Sequence, residues 1–189
     1  MIPTLVEGHL DERLLGALWR QLGKEGRALN VRDAGGSPFW EHARRYNEAA
    51  KHQTVIGLAD LEQSPCASEA FEKLNKPLSQ GFKLRLAVRM IESWIMADRN
   101  SFAIHLGIRL ARVPEQPDLL PHPKRTVVEL ARHSRKKAVR DALVPTGLGL
   151  VGAEYTPFMA GFVESRWRLD RARESSPSLE RACLRWSGV

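Results

Sequence analysis

Over residues 1–100, short apolar runs and amphipathic runs take turns, and this alternation restricts the fold more than any other feature of the chain. Residues 2–6 (IPTLV) read as a short buried strand, and from Leu10 the apolar positions Leu10, Leu14, Leu15, Leu18 and Leu22 return at helical spacing. Residues 28–32 (ALNVR) read as a second strand, followed by the turn signal GGSP and a helix from about Phe39 to Lys51. Thr54 to Leu58 form a third apolar run and FKLRLAV, residues 82–88, a fourth, after which MIESWIMAD turns helical. Strands that alternate with helices are joined by right-handed crossovers, so the expected core is α/β, with a mostly parallel sheet covered on both faces. Residues 101–189 carry no further strand signal. Helical segments separated by proline-rich loops such as VPEQPDLLPHP make this half a helical extension, expected to pack on the 1–100 core as a single globular unit.

Composition narrows the function. A chain of 189 residues with 43% hydrophobic and 27% charged residues can bury a core without metal or disulfide staples. Its 29 Lys and Arg against 22 Asp and Glu give a net charge of +7, which favours anionic partners such as nucleic acid or an acidic protein surface. Cys66 and Cys183 form no CxxC or metal-ligand spacing, and a reduced, cytoplasmic protein is expected. The first apolar run is broken at Glu7 and lacks the pattern of a signal peptide. The later stretch ALVPTGLGLVGA is too short and too rich in glycine to span a bilayer, so no membrane association is expected.

In an open parallel sheet, ligands bind beyond the carboxyl ends of the strands, where residues far apart in sequence converge. Glu7 follows the first strand, Asp60 and Glu62 follow the third, and Glu92 lies in the first turn after the fourth. The i, i+2 spacing of Asp60 and Glu62 places both side chains on one side of an extended segment. Converging carboxylates raise each other's pKa values unless a cation neutralises them, and a hard divalent ion such as Mg2+ or Mn2+ suits an all-oxygen set. Gly8 is expected to let the backbone turn beside Glu7. Simpler readings exist for each residue. Asp60 can cap a turn, Glu92 can pair with Arg89 or Arg85, Asp98 suits the N-cap of the next helix, and Trp94 suits the core.

With Glu7-Gly8 after the first strand and Asp60-Leu61-Glu62 after the third, the chain resembles the TOPRIM superfamily, the metal-binding domain of topoisomerases, bacterial primases and OLD-type nucleases. The second motif is DxD in that superfamily and here carries glutamate in its last position. More narrowly, LAVRMIESWIMADR (86–99) and the tract from EYTPFMAGF to LERACLRW look like a family of small prokaryotic TOPRIM-like proteins associated with defence and mobile elements. The resemblance implies a divalent-metal-dependent nuclease or related phosphodiester-processing protein, with Glu7, Asp60 and Glu62 as catalytic metal ligands and Glu92 as a fourth. The alternative within the same resemblance is a non-catalytic module that binds nucleic acid or a partner. OLD-type nucleases fuse this domain to an ATPase. No GxxxxGK[ST] loop stands in this sequence, so the resemblance implies an ATPase partner acting in trans, or self-association, with the aromatics Tyr155, Phe158, Phe162, Trp167 and Trp186 as a docking surface or, alternatively, as cover for the sheet.

Residues 122–140 concentrate Lys124, Arg125, Arg132, Arg135, Lys136, Lys137 and Arg140 around an inward stripe of Val127, Val128, Ala131, Ala138 and Val139. This is a candidate surface for the phosphates of DNA or RNA, giving affinity rather than sequence readout. Gly147 to Gly152 match GxGxxG, but after Pro145 rather than after a strand, so the dinucleotide fingerprint lacks its context.

Overall fold

A computed structural model describes residues 1–34 and 38–189; most of the GGSP turn signal lies outside the described residues. In chain order the elements are β1 (Ile2–Val6), α1 (His9–Gln21), β2 (Leu29–Asp33), α2 (Phe39–Ala49), β3 (Val55–Asp60), α3 (Ala67–Glu72), β4 (Phe82–Ala87), α4 (Ile91–Ala97) and α5 (Arg99–Leu106). Short 3-10 turns at Leu110–Arg112 and Pro117–Leu119 lead to α6 (Pro123–Arg132), α7 (Lys137–Leu143), α8 (Tyr155–Ser165), α9 (Leu169–Ser175) and α10 (Pro177–Ser187). The four strands form one all-parallel sheet in the order β2-β1-β3-β4. The fold is α/β with helices on both faces.

Each central strand sends alternate residues to opposite faces. Ile56 and Leu58 of β3 and Val6 of β1 join a large core built with α1, α4 and the C-terminal helices, whereas Val55, Ala59 and Leu5 face a smaller core under α2 and α3. Gly57 is required on that second face, because a Cβ there would lie 2.6 Å from Leu84 Cδ1 and 2.8 Å from the Phe82 ring. Helix α1 buries Leu10, Leu14, Leu15 and Leu18, the stripe expected from its periodicity.

Residues 101–189 complete the larger core. Tyr155, Phe162, Trp167 and Trp186 are buried in it, Phe158 is partly buried against it, and the Trp186 indole donates to the Lys83 carbonyl on β4 (2.8 Å). Trp186 therefore covers the sheet, whereas Trp167 donates to the Trp94 carbonyl on α4 and Phe162 packs edge-on against Phe102 of α5, so these buried rings join the helical layers to the core rather than forming an exposed docking surface. Trp94 is core, its indole donating to Ser178 Oγ, and Asp98 is the N-cap of α5, accepting from the Ser101 and Arg168 amides. Both cysteines are free thiols, Cys66 exposed and Cys183 buried. No helix among the described residues is long and apolar enough to cross a membrane.

Candidate functional site

Parallel pairing brings all four carboxyl ends of the strands to one edge of the sheet, and acidic residues gather there. Asp60 is the last residue of β3. Its Oδ1 accepts from the Ile91 amide at the start of α4 (2.8 Å), so it satisfies one of the free N–H groups of that helix from outside. Its own amide donates to Glu7 Oε2 (2.9 Å), which fixes the half-buried Glu7 side chain across from β1. Glu92, one position into α4 beyond Ile91, is 1% exposed. Its Oε1 accepts from the Tyr155 hydroxyl (3.1 Å) and lies 3.6 Å from Lys124 Nζ, while its Oε2 has no protein partner.

A further acid completes the group. Asp11, in the first turn of α1, is 7% exposed, and its Oδ1 also has no protein partner. In the sequence it passes for an ordinary first-turn acid. A signal was present, because positions 11, 14, 15 and 18 share one helix face, and an aspartate on the buried stripe of an amphipathic helix is unusual. Asp11, Asp60, Glu92, Lys124 and Tyr155 line a cavity of about 230 Å³ together with Gly8. Gly8 is extended (φ −155°), not turned, and a Cβ there would make only ordinary contact with Asp11 Oδ2 at 3.5 Å, so no sharp backbone turn is needed beside Glu7.

The acids feel one another. Burial pushes the Asp60 carboxyl well above the usual carboxylate range, and the charges of Asp11, Glu92 and Glu7 push it further. Asp11 is raised in the same way by burial, Glu7 and Glu92. Glu7 is raised by burial, against which the Asp60 amide works. The Tyr155 hydroxyl is held neutral by burial and by Glu92, so it donates to that carboxylate. Among the described residues, Lys124 is the one Lys or Arg that lines the cavity.

Glu62 stands apart from this cavity. It is exposed and adopts a left-handed backbone (φ 51°), held by its amide to the Arg89 carbonyl (2.9 Å) and by the Arg89 guanidinium to its own carbonyl (3.1 Å). Strand alternation would have aligned it with Asp60, but the strand ends at Asp60 and the turn redirects the side chain. The charge of Glu62 contributes to raising Glu7. Arg89 is thus engaged with the turn rather than with Glu92, whose cationic partner comes from α6.

The basic segment is two helices, α6 and α7, broken around the buried Ser134. Val127, Val128, Ala131 and Val139 face inward as expected, whereas Ala138 is exposed because the break shifts the helical phase. Most of the cations are engaged locally. Arg132 pairs with Glu129 (3.3 Å) and Lys137 with Asp141 (2.5 Å). Lys136 Nζ donates to the Ile104 and His105 carbonyls at the end of α5, and Arg140 donates to the Ser134 carbonyl. Arg125 and Arg135 are exposed with no side-chain partner among the described residues. The GxGxxG segment is an irregular loop.

Among the described residues, no three His, Cys, Asp or Glu side chains are already gathered as a metal-ligand set. Two acids of the cavity nevertheless present unpartnered oxygens, Asp11 Oδ1 and Glu92 Oε2, and all its carboxylate donors are hard oxygens that suit a hard cation. No family model matches the chain, no curated protein matches it significantly, and no solved structure does.

Proposed function

We propose that the chain is a TOPRIM-like, divalent-metal-dependent protein that cleaves or otherwise processes phosphodiesters of nucleic acid at the acid cavity. One observation carries this reading: two buried carboxylates, Asp11 and Glu92, each keep an oxygen without a protein partner beside a cavity at the carboxyl edge of a parallel sheet. Such groups are costly to bury unless a proton, a ligand or a cation satisfies them. Magnesium usually takes only one or two carboxylates, together with waters and substrate phosphates. Glu92, through Oε2, and Asp60, through the oxygen not engaged by Ile91, would hold the ion. When bound, it would supply charge to the phosphate oxygens and to the leaving oxygen.

The chain's own residues do the rest. Asp11, with a raised carboxyl and a free oxygen, is suited to accept the proton of an attacking water as the new phosphorus–oxygen bond forms and the ester oxygen leaves. Glu7 is a positioning residue that holds the end of β3 through the Asp60 amide. Lys124 links the acids to the basic helices and lies where a phosphate would approach. The net charge of +7 supports an anionic polymer as substrate.

A second reading has its own support. Lys124 and Tyr155 already satisfy one oxygen of Glu92, which is the internal pairing expected of a module that binds nucleic acid without cutting it. Calorimetric titration with Mn2+, followed by incubation with labelled DNA and RNA, separates the two. The catalytic reading expects saturable Mn2+ binding that Asp60→Asn removes, and cleavage that stops in chelator. Nucleic acid binding without Mn2+ uptake or cleavage would leave the binding module in its place.

A further inference from the structure

A second, smaller cavity of about 170 Å³ adjoins the acid cavity, lined by Met90, His122, Lys124, Arg125 and Leu150. The two share a wall. Lys124 lines both, and the chain neighbours of Met90 and Leu150, namely Ile91 and Val151, line the acid side. The chemistry changes across that wall. On one side stand buried carboxylates; on the other, two apolar side chains and an imidazole ring, with Lys124 and Arg125 as cations.

Leu150 is 70% exposed, so the core does not account for it. The loop that carries it is anchored close by. Two residues on, the Gly152 amide donates to the Leu143 carbonyl (2.9 Å), and a Cβ at Gly152 would lie 2.2 Å from the Ala142 carbonyl oxygen, so only glycine lets the loop sit this close to the end of α7. An apolar slot with an imidazole on its wall and cations beside it complements an unpaired base with its attached phosphate. Proteins recognise bases of single strands by stacking on aromatic or histidine rings while cations track the backbone. A base within a duplex is stacked on both sides and cannot enter such a slot.

We propose that the slot between Met90, His122 and Leu150 seats an unpaired base of a nucleic acid strand, whose phosphate is held toward the acid cavity by Lys124, with Arg125 adding positive charge on the slot side. The substrate class is therefore single-stranded or locally unpaired nucleic acid. This inference rests on the phosphodiester reading of the acid cavity. Lys124 touches both Glu92 and the slot, so the seated nucleotide places its own phosphodiester next to the acids.

The test measures fluorescence anisotropy of a short labelled oligothymidylate, the same oligomer with abasic residues, and a blunt duplex, all in chelator so that nothing is cut. The wild-type chain should bind the strand with bases about tenfold more tightly than the abasic strand, within the range for stacking one base. Leu150→Ser, at an exposed loop position, should melt like wild type and reduce that preference to about twofold or less. Equal affinity for the natural and abasic strands, an unchanged preference in Leu150→Ser, or tighter binding of the duplex overturns the proposal. So does a wild-type dimer that Leu150→Ser converts to monomer in sedimentation without altering base preference, because the leucine would then serve self-association. The Mn2+-induced rise in melting temperature reads the acid cavity alone and should survive in Leu150→Ser. A wild-type chain that shows base preference but no such rise retains the slot and loses the metal reading.

Discussion

The acid cavity and the outer surface of α6 and α7 are both dense in charge, and they treat it in opposite ways. In the cavity, Asp11 and Glu92 are almost wholly buried and each leaves an oxygen without a protein partner. On α6 and α7 the charges are largely exposed, and Arg132, Lys136, Lys137 and Arg140 are each tied to a neighbouring carboxylate or carbonyl. Burying an uncompensated charge costs several kcal/mol, whereas an exposed ion pair contributes about 0 to 1 kcal/mol. Charge density is thus a poor guide to a site. Charge that is buried and left unsatisfied is the better one, because only a ligand, a proton or a cation removes its cost.

The largest effects should come from the acids that line the cavity. Asp60→Asn and Asp11→Asn should each lower Mn2+-dependent cleavage by about a hundredfold or more, as expected for loss of a ligand or a proton acceptor. Neither should melt below wild type in chelator. The carboxamide introduced by Asp60→Asn would still offer an oxygen to the Ile91 amide, and the neutral side chain introduced by Asp11→Asn would relieve repulsion. A clear loss of stability in chelator would show the acid to be a structural partner and would erase the contrast. Glu7→Gln keeps an acceptor for the Asp60 amide and should cost less, about tenfold. Glu62→Gln, at an exposed turn, should stay within roughly threefold, since its charge is screened by solvent.

A pH series sharpens the comparison further. A carboxyl raised in the folded state makes the fold bind more protons than the unfolded chain, so its stabilising contribution is full below the unfolded pKa and is lost as pH rises through the folded one. In chelator, Asp11→Asn should therefore gain on wild type as pH rises, by roughly 1 to 3 kcal/mol of relieved burial cost, or a few degrees of melting temperature. His105 works in the other direction in both proteins. Burial beside Phe158 and Phe162 pushes its pKa down to about 4, so stability falls as pH drops below the ordinary histidine value near 6.5. The difference between the two proteins at each pH cancels that contribution. A difference that does not vary with pH would mean that Asp11 is not raised.

The basic helices should respond more weakly and in two distinct ways. Lys136→Ala removes donors from the Ile104 and His105 carbonyls and should cost about 1 kcal/mol in stability. Replacing Arg125 and Arg135 by alanine should leave stability unchanged and flatten the salt dependence of nucleic acid binding, by roughly 0.7 to 0.9 in log-log slope for each phosphate no longer neutralised. An unchanged slope would assign both arginines to solvent. Smallest of all, Lys137→Ala should cost about 0.3 to 0.5 kcal/mol, the value of an exposed i, i+4 pair with Asp141.

Local patterns in the sequence determined the α/β class, the four strands and the amphipathic face of α1, because the periods of strand and helix are properties of consecutive residues. The position of Asp60 at the carboxyl edge followed from the same patterns once the sheet was parallel. Tertiary structure alone decided which acids meet. Glu62 left the group because the chain turns left-handed immediately after β3, a change that two-residue alternation cannot anticipate. Asp11 entered it because α1 lies with its first turn over the strand ends. Lys124 and Tyr155 reached Glu92 from distant parts of the chain, Tyr155 from 63 positions away, through helices whose packing rather than whose local sequence sets where those side chains point. Pairings of that span depend on how whole elements stack, and no local signal in the sequence encodes them.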